Sequence, residues 1–410
     1  MFYPGSTGWI EKYFELIETN QIQLITKNNC TLVDISRDSG LIYGVAVNTI
    51  FSPAKLQSNW TPKDKLKNLF FETLLWTHWT QSNFLFDKEA FITDLASYYS
   101  SIKPKNSFDF LSFFKKESAI SSIETAIEER LELDKRILET RIWLNTLNNA
   151  FLFLDVILFK EFLKTKKIRP FQTLAEKAMH CFVGAVHTST EVSEIEEKLF
   201  IFYAASAKLD REIDDDFKIK FQTPLFQLNL EQFKNESEDF NLFLVYLSAF
   251  VFSYKNEVSK EERAFLVNLC LALNLNLEIT EITLANTTAF ILENETLIPY
   301  LGSSTEILFS NLSKRWGKIL LRNKDKLVLE IQQSKELMFL LAKSTQKDLT
   351  KKEKEVVKNQ LMDIMRSMPS LAIFLIPGGS LLLPIFLKII PSLMPSAFRD
   401  NEVNKDNSKG

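Results

Sequence analysis

Two of the chain's three histidines, His180 and His187, flank Cys181 in "AMHCFVGAVH". Imidazole and thiolate are the ligands that a zinc site draws on. On a helix the seven-residue spacing puts both rings on one face, two turns apart. Zinc bonds are only about 2.0–2.3 Å long, so one ion would need ligands from a third element. The residues read better as core or half-exposed side chains, and no metal is expected. A second cluster, "LDREIDDDF" at 209–217, gathers Asp210, Glu212, Asp214, Asp215 and Asp216. It lacks the central glycine and the spaced carboxylates of a calcium loop, and reads as a solvated acidic turn. The chain contains no phosphate-binding glycine loop, dinucleotide fingerprint, nucleophile elbow or paired Cys-x-x-Cys. No enzymatic activity and no cofactor are expected.

The remaining chemistry is ionic. In "KKEKEVVKNQLMDIMR", Lys351, Lys352, Lys354, Lys358 and Arg366 have the charge to meet phosphates of lipid or of RNA. Asp348, Glu353, Glu355 and Asp363 are interleaved with them, as on an ordinary solvated helix face. The net charge of −3 is unevenly spread: residues 314–366 carry +7, residues 367–410 carry +1, and the first 313 carry −11. An acidic body thus leads into a basic neck, and no DNA partner is expected.

The neck abuts "SLAIFLIPGGSLLLPIFLKIIPSLMPSAF" at 370–398, which holds one full charge, Lys388. From Pro369 to Ile390 there are 22 residues, about 33 Å of helix and enough to span a bilayer core of about 30 Å. Pro377, Pro384 and Pro391 fall at seven-residue steps, and each costs about 3 kcal/mol inside a helix. A kinked span, a hairpin turning at Gly378–Gly379, and a buried helical pair in a protein core all fit. For a span, the basic neck places the body on the cytoplasmic side.

This pattern resembles the signature apolar segment of the LETM family, the leucine-zipper and EF-hand-containing transmembrane proteins of the mitochondrial inner membrane. The matching positions are Pro369, Phe374, Pro377, Leu382, Leu383, Pro384, Leu387, Lys388, Pro391, Pro395, Ser396 and Phe398. The rest of the chain looks like the bacterial branch of LETM-related biofilm-associated proteins. The resemblance implies a non-enzymatic, membrane-associated scaffold on the cytoplasmic side of the inner membrane. Membrane lipids and the ribosome, or another protein, are its implied partners. In the family a carboxylate sits between the first two spaced prolines; here Gly378, Gly379 and Ser380 stand there, which removes the natural carrier for cation–proton exchange. In the mitochondrial proteins a large ribosome-binding domain follows the segment, whereas twelve residues follow Phe398 here. Cation–proton exchange and a soluble helical adaptor in the cytoplasm are the competing readings.

The elements that must position these groups read as helices. There are only 10 glycines against 35 phenylalanines, and few glycines with many Lys, Glu and Leu favour helix over hairpin. Three scattered cysteines fit a reducing compartment, and the N-terminus shows no secretory signal. The expected fold is all-α: a multi-helix bundle with a long central helix and a C-terminal proline-marked apolar helical segment. The expected regions are 1–110, helical, with "LIYGVAVNTIFSPA" undecided between strand and buried helix; 111–170, one long helix over 118–167; 171–300, a helical block; 314–367, the neck; 368–398, the apolar segment; and 399–410, a polar tail. Within 62–101 two helices are expected, the first opening at Pro62. The helix–turn–helix units in 171–290 resemble TerB-like tellurite-resistance domains.

Overall fold

The computed structural model describes residues 2–25, 30–102, 116–134, 149–189, 191–223, 228–253, 258–294, 313, 316–317, 319–320, 323–344, 347–368 and 386. Among these every regular element is helical, so the protein is all-α. The chain divides into two units. One comprises Met1–Val251 with Lys260–Leu275, and the other Phe252–Ser259 with Asn276–Gly410.

The first unit is built on α3 (Pro62–Gln81) and α6 (Leu152–Thr165), which pack together. The longest helix among the described residues is α3, not the one expected over 118–167. Pro62 occupies its first turn, and Thr61 and Asp64 form a reciprocal capping box. It is buried on every face from Leu66 to Trp79. Likewise α6 is buried without a break from Leu152 to Phe159. Helices buried all round belong at the centre of a bundle. Around them stand α1 (Trp9–Glu18), α2 (Leu32–Ser39), α4 (Lys88–Ile102), α5 (Lys116–Leu131), α7 (Phe171–Val186), α8 (Glu194–Ala207), α9 (Arg211–Gln222), most of α10 (Glu238–Ser253) and α11 (Lys260–Ala272). The undecided stretch near Leu41 is neither strand nor long helix. It is a buried 3-10 turn, Leu41–Tyr43, followed by irregular chain. Gly44 closes it with φ 74°, where a Cβ would lie 2.6 Å from the Ala150 Cα. Only glycine admits that approach.

Each central helix has a carboxylate at 0–1% exposure, Glu72 on α3 and Asp155 on α6, and each organises its surroundings. Glu72 on α3 accepts the backbone N–H groups of Ile50 (2.6 Å), Phe51 (3.0 Å) and Ser52 (2.9 Å), the Ser52 hydroxyl (2.5 Å) and the Tyr13 hydroxyl (3.1 Å). An irregular loop and α1 are thereby fastened to α3. Burial and the nearby Glu72 charge push the Tyr13 phenol well above its ordinary range. A third carboxylate, Glu124 on α5, accepts the N–H groups of Gly8 and Ile10, both at 2.9 Å. It serves the start of α1, whose N-cap Gly8 has no side chain to do so.

Asp155 is the buried carboxylate of α6, at 1% exposure. It accepts the Arg130 Nε–H at 2.6 Å, and the Arg130 guanidinium lies 3.9 Å over the Phe171 ring. This pair corrects the expectation of one helix over 118–167. Residues 25 apart on a straight helix are about 38 Å apart, so the contact requires the chain to fold back. α5 ends at Leu131, 132–134 are non-helical, and α6 begins at Leu152. The returning chain is fixed by Asn149, whose Nδ2–H donates to the Arg130 carbonyl at 2.9 Å. Lys208 Nζ donates to the Glu129 carbonyl at 2.6 Å. Burial raises the Asp155 carboxyl above its ordinary value, the Arg130 charge opposing only part of that rise.

Two outcomes follow. Replacing Asp155 by Ala strands a buried guanidinium and should cost about 3–5 kcal/mol in denaturant unfolding. The double replacement Asp155→Leu with Arg130→Met should recover most of that loss; a double variant as unstable as the single one would contradict the ion-pair account. Burial, followed by Arg130, pushes Lys208 down from 10.5 to about 8. The folded state therefore holds this proton less well than the unfolded state. Its charged form opposes folding below pH 8, and that opposition fades as pH rises from about 8 to 10.5. Stability measured across this window should rise more steeply in the parent than in Lys208→Met.

Candidate functional site

In the second unit the basic neck folds as α13 (Lys324–Gln333), α14 (Lys335–Ser344) and α15 (Lys351–Ser367), alongside α12 (Glu278–Glu293). Leu327 and Ile331 of α13, Leu337, Leu340 and Leu341 of α14, and Val357, Leu361 and Met365 of α15 enter one apolar cluster. On α15 those residues recur every four positions and set the inward face. The helix starts at a capping box, in which the Thr350 hydroxyl and the Glu353 carboxylate each serve the other's backbone N–H. Glu353 also accepts the Lys343 ammonium at 2.5 Å. These donors, Lys343 foremost, hold the Glu353 carboxyl down at about 2. Gln360 joins the same helices further along, accepting from the Ser334 hydroxyl at 2.7 Å and donating to Glu336 at 2.6 Å.

Orientation sorts the five basic candidates of α15. Lys351, Lys352 and Lys354 are exposed and Lys358 is half-buried. No described carboxylate lies within ion-pair distance of these four. Arg366 is exposed but is paired with Asp363 at 2.7 Å. Three of the free ammonium groups occupy the first turn, where the helix dipole is already positive. Glu353 is the acid in that turn, and it is spent on Lys343 and Thr350. The result is a positive end suited to anions carried on a flexible or repeated scaffold, such as phosphates.

The proline-marked motif residues Pro369, Phe374, Pro377, Gly378, Gly379, Leu383, Pro384, Lys388, Pro391, Pro395 and Phe398 lie outside the described residues. Phe386, inside the same segment, is described: it is helical, 0% exposed, and belongs to the apolar cluster with Met365 and Met368. Among the described residues no helix is long and apolar enough to cross a membrane.

The other sequence candidates disperse. Cys181 Sγ lies 3.4 Å from the Ser248 hydroxyl, and burial pushes its thiol up to about 12. The His180 ring meets the edge of Phe217 at 4.7 Å, and burial lowers it to about 4. His187 Nε2 pairs with the Lys220 carbonyl at 3.2 Å. The acidic run expected as a turn is instead the start of α9, with Asp210 at its N-cap position. Its charges are met along the helix by Lys218 with Asp214 and by Lys220 with Asp216. Among the described residues no group of three or more His, Cys, Asp or Glu is placed to hold a metal ion.

One residue escaped the sequence reading. Phe339 on α14 is 67% exposed, on the face opposite Leu337, Leu340 and Leu341. The signal was present: those three leucines define the inward face of "KELMFLLAKS", and helical spacing sets Phe339 away from them.

Compared with known proteins, residues 349–410 match the model of the LETM1-like, RBD family. No curated protein and no solved structure matches the chain. The match starts at the residue before the α15 capping box and takes in the proline-marked segment. The ribosome-binding description therefore falls on the segment itself, not on a domain beyond it as the sequence resemblance implied. The TerB-like and biofilm-associated resemblances concern chain outside this match. Residues 349–410 are thus similar to the LETM1-like, RBD family, and the likeness of the chain to the LETM family rests on this segment.

Proposed function

We propose that this is a non-enzymatic binding protein whose second unit docks on the ribosome through α15, using Lys351, Lys352, Lys354 and Lys358 against RNA phosphates. The observation that carries this reading is the coincidence of the family match with four ammonium groups that have no carboxylate partner among the described residues. A solvated helix face neutralises its lysines with neighbouring acids, as Arg366 does with Asp363. Those at the start of α15 are left available. Each phosphate neutralised releases counterions, so binding should weaken steeply with salt.

Co-sedimentation with ribosomes over a salt series tests this. Changing the four lysines to Gln should flatten the slope of log affinity against log salt by about 3, since each phosphate contact contributes about 0.7–0.9. An unchanged slope would remove α15 from the interface.

For the apolar segment, Phe386 favours packing within the unit over insertion in lipid. It occupies the cluster formed by α12–α15 and their flanking residues at 0% exposure. On this reading the segment completes the binding unit, and lipids are not required for folding. Phe386→Ala should then lower the unfolding free energy of the protein by about 3–5 kcal/mol in the absence of any lipid. If stability is unchanged while the parent resists carbonate extraction from membranes, the inserted arrangement is the correct one.

A further inference from the structure

We infer that Phe339 is a stacking platform for an unpaired RNA base, with nearby unpaired lysines to hold the backbone. This deepens the ribosome-docking reading and rests on it.

Three observations converge. First, Phe339 lies in the middle of the outward face of α14 with most of its ring in solvent. Its neighbours Leu337 and Leu341 are completely buried, so the ring is not left outside for want of a core-facing register. Second, Lys335 and Lys343 stand four residues before and after it on the same face, one turn away in each direction. Third, the Lys343–Glu353 contact at 2.5 Å joins this face to the first turn of α15. The exposed ring thus lies on a helix that packs against α15, whose first turn carries the unpaired Lys351, Lys352 and Lys354. Residues 335–358 carry seven lysines against four acids, Glu336, Asp348, Glu353 and Glu355. Two of those acids are engaged within the protein, Glu336 by Gln360 and Glu353 by Lys343.

An exposed aromatic ring among lysines suits a single-stranded nucleic acid. Every base offers a flat face to stack, and the backbone follows the positive charge. Paired RNA hides those faces, so sequence-independent stacking selects loops, bulges and ends. An anionic membrane also accepts aromatic rings and lysines. The choice falls on RNA because the surface adjoins the segment that matches the ribosome-binding family. Phe339 precedes the matched residues, so the contact would extend the interface beyond them.

The test uses the full-length protein and two fluorescein-labelled probes of equal length, single-stranded oligoadenylate and a perfect RNA duplex. Phe339→Ala should weaken single-strand binding by about 5- to 100-fold, the range of one lost base stack. Duplex binding, the salt slope and the circular dichroism melting curve should stay as in the parent. Phe339→Trp should restore affinity, with indole fluorescence quenched on RNA addition. An equal loss on both probes, or none, overturns the stacking role. A loss of binding to phosphatidylglycerol-containing vesicles with none on RNA overturns it in favour of a lipid surface. Parallel co-sedimentation with ribosomes keeps the two readings apart. If the parent pellets with ribosomes and Phe339→Ala is unaffected on RNA, only the stacking inference fails. If the parent does not pellet with ribosomes, the docking reading fails first.

Discussion

Two carboxylates in the two most buried helices impose the arrangement of the first unit. A charge taken out of water is tolerated only where enough donors converge on it. Glu72 obtains them from an irregular loop and from Tyr13. Asp155 obtains a cation from a helix that ends 24 residues before it in sequence. In both cases the donors come from chain that has no regular structure of its own or that must turn back to reach the site. The loop at 50–52 and the reversal after Leu131 are therefore consequences of the buried charges, as much as of the apolar packing around them. A bundle of apolar helices has many nearly equivalent packings. Fixed acceptors that must each be satisfied reduce that number.

In the second unit the balance is reversed. Apolar spacing aligns α13, α14 and α15, and polar contacts join them at the surface. There Glu353 is the pivotal acid, because it is drawn to Lys343 and Thr350 and so leaves the lysines around it uncompensated. One cross-helix contact thus joins α14 to the lysine-bearing first turn of α15, the end on which the proposed docking rests.

The all-α fold was legible in composition, and Thr61–Pro62 opening α3 was legible in capping chemistry, because both are local properties. The reversal within 118–167 was not. Apolar residues recurring every three or four positions fit one helix or two equally well, and only a long-range pair separates the cases. Asp155 could have signalled it: a carboxylate amid "FLFLDVILF" demands a cation that its own helix does not offer. Of the basic candidates, sequence gave the positions but not the pairings. The distinction between Arg366, neutralised by Asp363, and Lys351, Lys352, Lys354 and Lys358 depends on rotamers and on Lys343 reaching across from α14. Phe339 was overlooked for a simpler reason: an aromatic residue in an apolar stretch is ordinarily core, and its phase against Leu337, Leu340 and Leu341 must be worked out before it stands apart.

The same logic bears on the apolar segment. Lipid tails and a protein core are both apolar solvents, so hydropathy cannot separate them. Length cannot either, since 22 residues suit a span or two short helices. What separates them is complementarity. A core asks for particular side chains at particular places, and a bilayer does not. Phe386 is 0% exposed within the apolar cluster that also takes in Leu361 and Met365 of α15 and its C-cap residue Met368. Methionine is an adaptable neighbour in such a cluster. Withdrawing Phe386 into lipid would take one buried side chain out of it. At that one position, then, the apolar character of the segment serves the core of the second unit.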